Sequence, residues 1–349
     1  MPKRTFKKKA RALEPAVMKM HFRITPSDST RQYIDISQCA SKLNRRFYRQ
    51  GLNWAVANVK ITTLPRDITD PALFVPVTGY VNTIPHTWPA ANAWLKSMKL
   101  WKEQQDDAMA ESNSESAIAR FRDFKIFADT DHVTKTFANN LQPYSLGPGT
   151  VVGPVPAGLV TNSSPSAAEE WLSSQIVIPN LVADASGTDI DPHEYELHMV
   201  GENQYLDKSR GIIDGYQNSR AYPQSPDPAS PQISNSTNWM RTMFDVGNDS
   251  TEITSNAENR NDQLPYDQVE YPGGDVSMNE LETQGYFLNM STTGVSTFNT
   301  GPFTAPCGLI RLDIYGQTNE NTWGYYTIVT VDLVPGDQRG YLTESMEDF

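Results

Sequence analysis

The stretch LNWAVANVKITTL (52–64) decides between fold classes. Ala55, Ala57, Val59 and Ile61 take one set of alternate positions, and Trp54 and Val56 take the other. A repeat of two is the period of a strand, whose successive side chains point to opposite faces. This reading puts Trp54 and Val56 on the face opposite Val59 and Ile61.

The same period recurs on both sides. Upstream lie KMHFRIT (19–25) and RQYIDIS (31–37). Downstream, EYELHMV (194–200) alternates Tyr195, Leu197 and Met199 with Glu194, Glu196 and His198. GLIRLDIYG (308–316) alternates Ile310, Leu312 and Ile314 with Arg311, Asp313 and Tyr315, and YYTIVTVDLV (325–334) puts Val329, Val331 and Leu333 on one face. RFRDFKIFAD (120–129) and SQIVIPN (174–180) are two further strand candidates. About eight to ten strands, bounded by Gly, Pro and Asn and without alternating helices, predict a mainly β, antiparallel sandwich.

One strong helix interrupts them. TWPAANAWLKSMKLWKEQQDDAMAE (87–111) has Pro89 where a first turn tolerates it. Ala91, Trp94, Leu95, Met98, Trp101 and Ala108 lie close to one helical stripe, which predicts a helix near 89–110 burying Trp94, Met98 and Trp101 against the sheet. A shorter helix is expected in DKSRGIIDGYQNSRA (207–221). Two long loop insertions are expected near 142–170, rich in Pro, Gly and Ser, and near 218–284. PQSPDPASPQISN (223–235) is a candidate exposed tip.

Charge divides the chain unevenly. The whole carries a formal net charge of -12, yet residues 1–49 hold 13 Lys/Arg against 3 Asp/Glu. The first eleven residues contain Lys3, Arg4, Lys7, Lys8, Lys9 and Arg11 and no acid. Residues 1–17 therefore read as a disordered basic arm, and 18–349 as a single domain. Such an arm suits a polyanion such as a nucleic acid, or a nuclear-import receptor. A second basic cluster, KLNRRFYRQG (42–51), sets Arg45, Arg46 and Arg49 around Phe47 and Tyr48. Guanidinium groups bind phosphate while rings stack on bases, a combination suited to single strands. A strand with its aromatics in the core and its arginines in solvent is the equal alternative.

Catalytic signals are weak. Gly147-Pro148-Gly149-Thr150-Val151-Val152-Gly153 lacks the Lys-Ser/Thr ending of a phosphate loop. His193 and His198 are five apart, which on a strand places them on opposite faces. No nucleophile elbow, zinc spacing or cofactor motif is present, and the chain is not expected to be an enzyme. Ten acids between Asp245 and Glu282, against Arg260 alone, offer hard oxygens for Ca²⁺ without EF-hand spacing; a solvated acidic loop is the simpler reading. Cys39 and Cys307 fit two buried free thiols. No secretory signal or membrane-spanning run is present, so sequons at Asn162, Asn235, Asn248 and Asn289 read as chance matches.

Several stretches resemble the capsid proteins of small circular, Rep-encoding single-stranded DNA (CRESS-DNA) viruses. They are FYRQGLNWAVANV (47–59), TWPAANAWLKSMKLW (87–101), RFRDFKIFAD (120–129), GIIDGYQNSRA (211–221), MFDVGNDSTEI (243–253) with LPYDQVEYPGG (264–274), and, less clearly, NTWGYYTIVTV (321–331). The resemblance implies a jelly-roll β-sandwich of eight strands in two sheets. It also implies self-assembly into an icosahedral shell of sixty copies or a multiple, an arm facing a single-stranded DNA genome, and location in the virion and, during assembly, the host nucleus. The arm departs from the family pattern in being short and lysine-led. A cellular β-sandwich module that binds nucleic acid or carbohydrate is the alternative.

Overall fold

The computed structural model describes residues 16–24, 29–64, 77–112, 122–143, 171–178, 193–201, 209–221, 280–289, 295–316 and 326–348. Within them the alternating stretches form β1 (Lys19–Ile24), β2 (Ser29–Asp35), β3 (Leu52–Leu64), β4 (Val77–Thr83), β5 (Gln175–Ile178), β6 (His193–His198) and β7 (Ser209–Gly211). Then follow β8 (Glu282–Asn289), β9 (Ser296–Asn299), β10 (Phe303–Ala305), β11 (Leu309–Gly316) and β12 (Tyr326–Leu333). Short strands β13 (Pro335–Gly336), β14 (Gly340–Tyr341) and β15 (Thr343–Ser345) end the series. The helices are α1 (Ile36–Asn44), α2 (Trp88–Ser112), α3 (Thr130–Lys135) and α4 (Ile212–Ala221).

The chain is mainly β, and its two principal sheets are antiparallel. One runs β1-β12-β3, with β10, β9 and β15 also paired to β3. The other runs β2-β11-β4-β8. Met20, Phe22, Val59, Ile61, Val329 and Val331 from the first meet Ile34, Val81, Ile310, Leu312, Ile314 and Phe287 from the second in one apolar core. Burial of each such side chain contributes about 1.5–3 kcal/mol. Gly79 lies where β4 crosses under Phe287: a Cβ there would sit 2.6 Å from the ring.

The alternation along β3 breaks at one residue. Asp332 pairs with Asn58 and Leu333 with Val56, which leaves Ala57 as an extra residue in the ladder. A bulge resets the side-chain phase. Trp54 and Val56 therefore face the same core as Val59 and Ile61, all four at most 1% exposed. The expectation of opposite faces is corrected by this bulge.

Residues 84–281 pass between β4 and β8, and their described parts build a second layer. Here α2 packs on α4 and beside the small sheet β5-β6-β7, whose β6–β7 pair is parallel. Trp94, Leu100, Phe124, Ile126, Ile176, Leu197 and Ile212 form its core. Trp94 is buried as expected, whereas Met98 and Trp101 are only partly buried against that core and Ala108 is exposed. The buried seam runs through Ala90, Ala93, Trp94, Ser97 and Leu100 instead. The side chain of Gln104 accepts from Val177 N–H (3.0 Å) and donates to Val177 C=O (2.6 Å), so α2 serves β5 as a surrogate strand edge.

Four expectations need correction. RFRDFKIFAD forms no regular strand: among its described residues only Phe127 makes a bridge, to His198, although Phe127 N–H reaches Leu197 C=O at 2.9 Å. The 42–51 segment is the end of α1 and a bend, not a strand. The helix near 89–110 and the shorter helix are accompanied by α1 and α3, each started by an aspartate N-cap. Cys39 and Cys307 are buried free thiols, and Asn289 is buried in β8. The loop expectations at 144–170 and 222–279, including the glycine-rich stretch, the 223–235 tip and most of the acidic run, lie outside the described residues, as does the basic arm 1–15. Ala16 and Val17, assigned to the arm from sequence, belong to the fold: Val17 N–H donates to Asn44 Oδ1 (3.1 Å) and Tyr341 O–H donates to Val17 C=O (2.8 Å).

Candidate nucleic-acid interface

The Arg45–Arg49 segment is built by the way α1 ends. Asp35 caps the helix start by accepting from Gln38 N–H at 3.0 Å. At the other end Arg45 turns left-handed, with φ 54°, and its N–H returns to Ser41 C=O. The chain then bends and is clamped. Tyr48 N–H donates to Ser41 Oγ (2.9 Å), and Arg339 Nη1 donates to Phe47 C=O (2.7 Å). Alternate residues now diverge: Tyr48 and Gln50 go inward, while Phe47 and Arg49 face solvent.

This bend closes a pocket of about 440 Å³ lined by Lys42, Arg45, Arg46 and Lys125, the rings of Phe47 and Trp171, and the polar Gln38 and Ser41. Among the described residues that line it there is no carboxylate. Lys125 Nζ lies 5.0 Å from the Trp171 ring centroid, and Phe47 and Trp171 sit 6.4 Å apart at 58°. Trp171 is fixed from behind, its indole N–H donating to Asp35 Oδ2 at 3.1 Å. Gln50 Nε2 donates to the same oxygen at 3.0 Å. Burial pushes the Asp35 carboxyl up to about 6 even though these donors pull it down.

Of the arginines expected to bind nucleic acid, Arg45 and Arg46 line the pocket. Arg49 does not; its charge acts with Lys125 on Asp123, whose carboxyl is nonetheless raised by burial. Tyr48 is core, packed on Trp54 and Tyr341 with centroids 5.8 and 5.5 Å away. Lys42, Lys125 and Trp171 were missed from sequence. Lys42 was legible only if 36–44 had been read as a helix, since Ile36, Cys39, Ala40 and Leu43 have helical spacing and Lys42 falls outside it. Lys125 and Trp171 arrive from the second layer, and no local signal marks them. Lys3, Arg4, Lys7, Lys8, Lys9 and Arg11 lie outside the described residues. The point where their segment joins the fold is described: Val17 is tied to Asn44, one residue before Arg45.

A second, charged pocket of about 530 Å³ lies where α3 meets the second sheet. Arg311 Nη1 donates to Asp129 Oδ2 (2.6 Å), and Arg311 also pairs with Asp313 (2.9 Å). Arg31 pairs with Asp131 and, at 3.7 Å, with Asp313. Tyr33 O–H donates to Asp129 Oδ1 at 2.6 Å. Nearby, His132 is buried and stacked on Tyr33 at 4.1 Å. Its Nδ1 accepts from Ala128 N–H, which leaves Nε2 to carry the proton toward Asn140 Oδ1. Burial lowers its pKa to about 4, keeping the ring neutral. Two arginines face the four carboxylates of Asp129, Asp131, Asp313 and Glu280 in this pocket, so its ion pairs clamp the second layer to the sandwich and its lining is net acidic, not cationic. His193 and His198 lie in β6, with only His198 fully buried. Among the described residues no group of three or more His, Cys, Asp or Glu could hold a metal, and no helix is long and apolar enough to cross a membrane.

The chain matches no family model, and neither a curated protein nor a solved structure matches it.

Proposed function

We propose that this chain is a viral capsid subunit, one that assembles into an icosahedral shell and packages circular single-stranded DNA. The observation that carries the reading is the strand order. Count the eight sandwich positions along the chain as β1, β2, β3, β4, β8, β9 with β10, β11 and β12. The first sheet then runs first, eighth, third, sixth, and the second runs second, seventh, fourth, fifth. A long antiparallel ribbon that pairs first with eighth, second with seventh, third with sixth and fourth with fifth, then folds over on itself, produces both orders. We read this order as a jelly roll, a fold used by viral shells and also by lectins. The basic arm and the resemblance in sequence favour the shell.

In this reading the six cations of residues 1–11 meet the genome, and the same run serves a host nuclear-import receptor before assembly. Closed shells use point-group symmetry, here about sixty copies or a multiple. Negative-stain microscopy of the purified full chain tests it. Uniform shells are the expected result, and free small particles under all assembly conditions would overturn it in favour of a cellular binding module. Removing residues 1–11 is expected to leave shells intact while their 260/280 nm absorbance ratio falls.

A further inference from the structure

We propose that the pocket at the end of α1 holds one nucleotide of a single DNA strand, its phosphate against Lys42, Arg45 and Arg46 and its base on the ring of Phe47. The identification of the strand as packaged DNA rests on the function proposed above; the binding chemistry does not.

Four features converge on it. The described lining is cationic and holds no carboxylate, which suits an anion. Phe47 is 45% exposed, yet it is not loose. Its carbonyl is held by Arg339 and its ring rests on Trp171, itself anchored to the buried Asp35. A platform held in place before binding loses little freedom when a base stacks on it. The pocket volume of about 440 Å³ lies within the range of small-ligand sites. Finally, Val17, which follows the basic segment in the chain, is bonded to Asn44, the residue before the pocket-lining Arg45. Duplex DNA keeps its bases stacked on one another, so the ring selects single strands.

The test uses the full chain and two labelled probes of about ten nucleotides. One is oligothymidylate; the other is a chain of abasic deoxyribose phosphates of equal length. Binding is read by fluorescence anisotropy at about 0.5 M salt, where contacts made by exposed charges are largely screened. Stacking of one base predicts that oligothymidylate binds about fivefold tighter or more. Phe47→Ala, at an exposed side chain, is expected to leave the melting temperature unchanged and to erase that preference. Read instead at about 0.1 M salt, Arg45→Asn, which tolerates the left-handed backbone, and Arg46→Ala are expected to weaken both probes alike. Equal affinity for the two probes, or a preference that survives Phe47→Ala, overturns the proposal even if DNA-filled shells form. A base preference lost in Phe47→Ala sustains it even if no shells form, and only the shell reading then fails.

Discussion

The sandwich and the layer formed from residues 84–281 are held together by different physics. In the sandwich, backbone ladders run strand to strand and the enclosed side chains are almost all apolar. The inserted layer has one small sheet, and polar side chains substitute for backbone partners. Gln104 serves β5, Gln50 Oε1 accepts from Ile126 N–H (2.6 Å), and Ser174 Oγ accepts from Lys125 N–H (3.0 Å). Its buried groups include Asp123, Asp129, His132, His198 and Arg210. Apolar packing is indifferent to pH, whereas side-chain hydrogen bonds and buried titratable groups are not. Register damage should therefore be the main way to break the sandwich, and removal or charging of one polar group the main way to loosen the second layer.

The largest effect should come from deleting Ala57. Without the bulge, Trp54 and Val56 must turn away from the core or Val59 and Ile61 must, because a one-residue slip reverses every face. No soluble folded protein is expected, and a cooperative urea transition in the purified variant would show that the bulge is dispensable. Asp129→Ala should come next. It strips the acceptor from Tyr33 and His132 and leaves Arg311 half-paired. Breaking such a buried pair costs about 3–5 kcal/mol. If the layer is only draped on the sandwich, proteolysis within 84–281 will be no faster in the variant, and the contrast between the two regions is lost.

The smallest and most diagnostic effect is that of pH. His132, lowered to about 4 by burial, contributes stability that is complete above its ordinary 6.5 and lost as pH falls through 4. Asp35, raised to about 6 by burial, has the opposite sign: its contribution is complete below its ordinary 3.8 and lost as pH rises through 6. Each amounts to about 3 kcal/mol at most, and between pH 4 and 6 they oppose one another. The wild-type urea midpoint should therefore change little over that window. Asp35→Asn should make it fall steeply with acid, and His132→Gln should make it rise. Parallel curves for all three proteins would mean that neither group is held as the fold implies.

The strands with a clean repeat of two, β1, β2, β11 and β12, were legible because one face of each is buried and hydrophobicity marks that face. Strand β4 was not, since VTGYVNT (77–83) mixes Gly, Asn and Thr, and its glycine answers to Phe287 on another strand. The arginines of the candidate site were visible as a cluster, but their division was not. Arg45 and Arg46 line the pocket while Arg49 points to solvent and only its charge reaches Asp123, because the left-handed turn at Arg45 re-aims everything after it.

By itself the sequence determined the antiparallel β class, the position of α2, the uneven charge and a cationic, aromatic segment at 45–49. These are properties of local order, since periodicity and charge density act over a few neighbouring residues. Only the tertiary structure decided which face of β3 is core, which aromatic of Phe47 and Tyr48 stays in solvent, and that Lys125 and Trp171 complete a pocket with α1. Those outcomes depend on partners far away in sequence: Leu333 for the bulge, Arg339 for Phe47, Asp35 for Trp171. Contacts over such separations are fixed by packing and ladder register, and a linear pattern does not carry them.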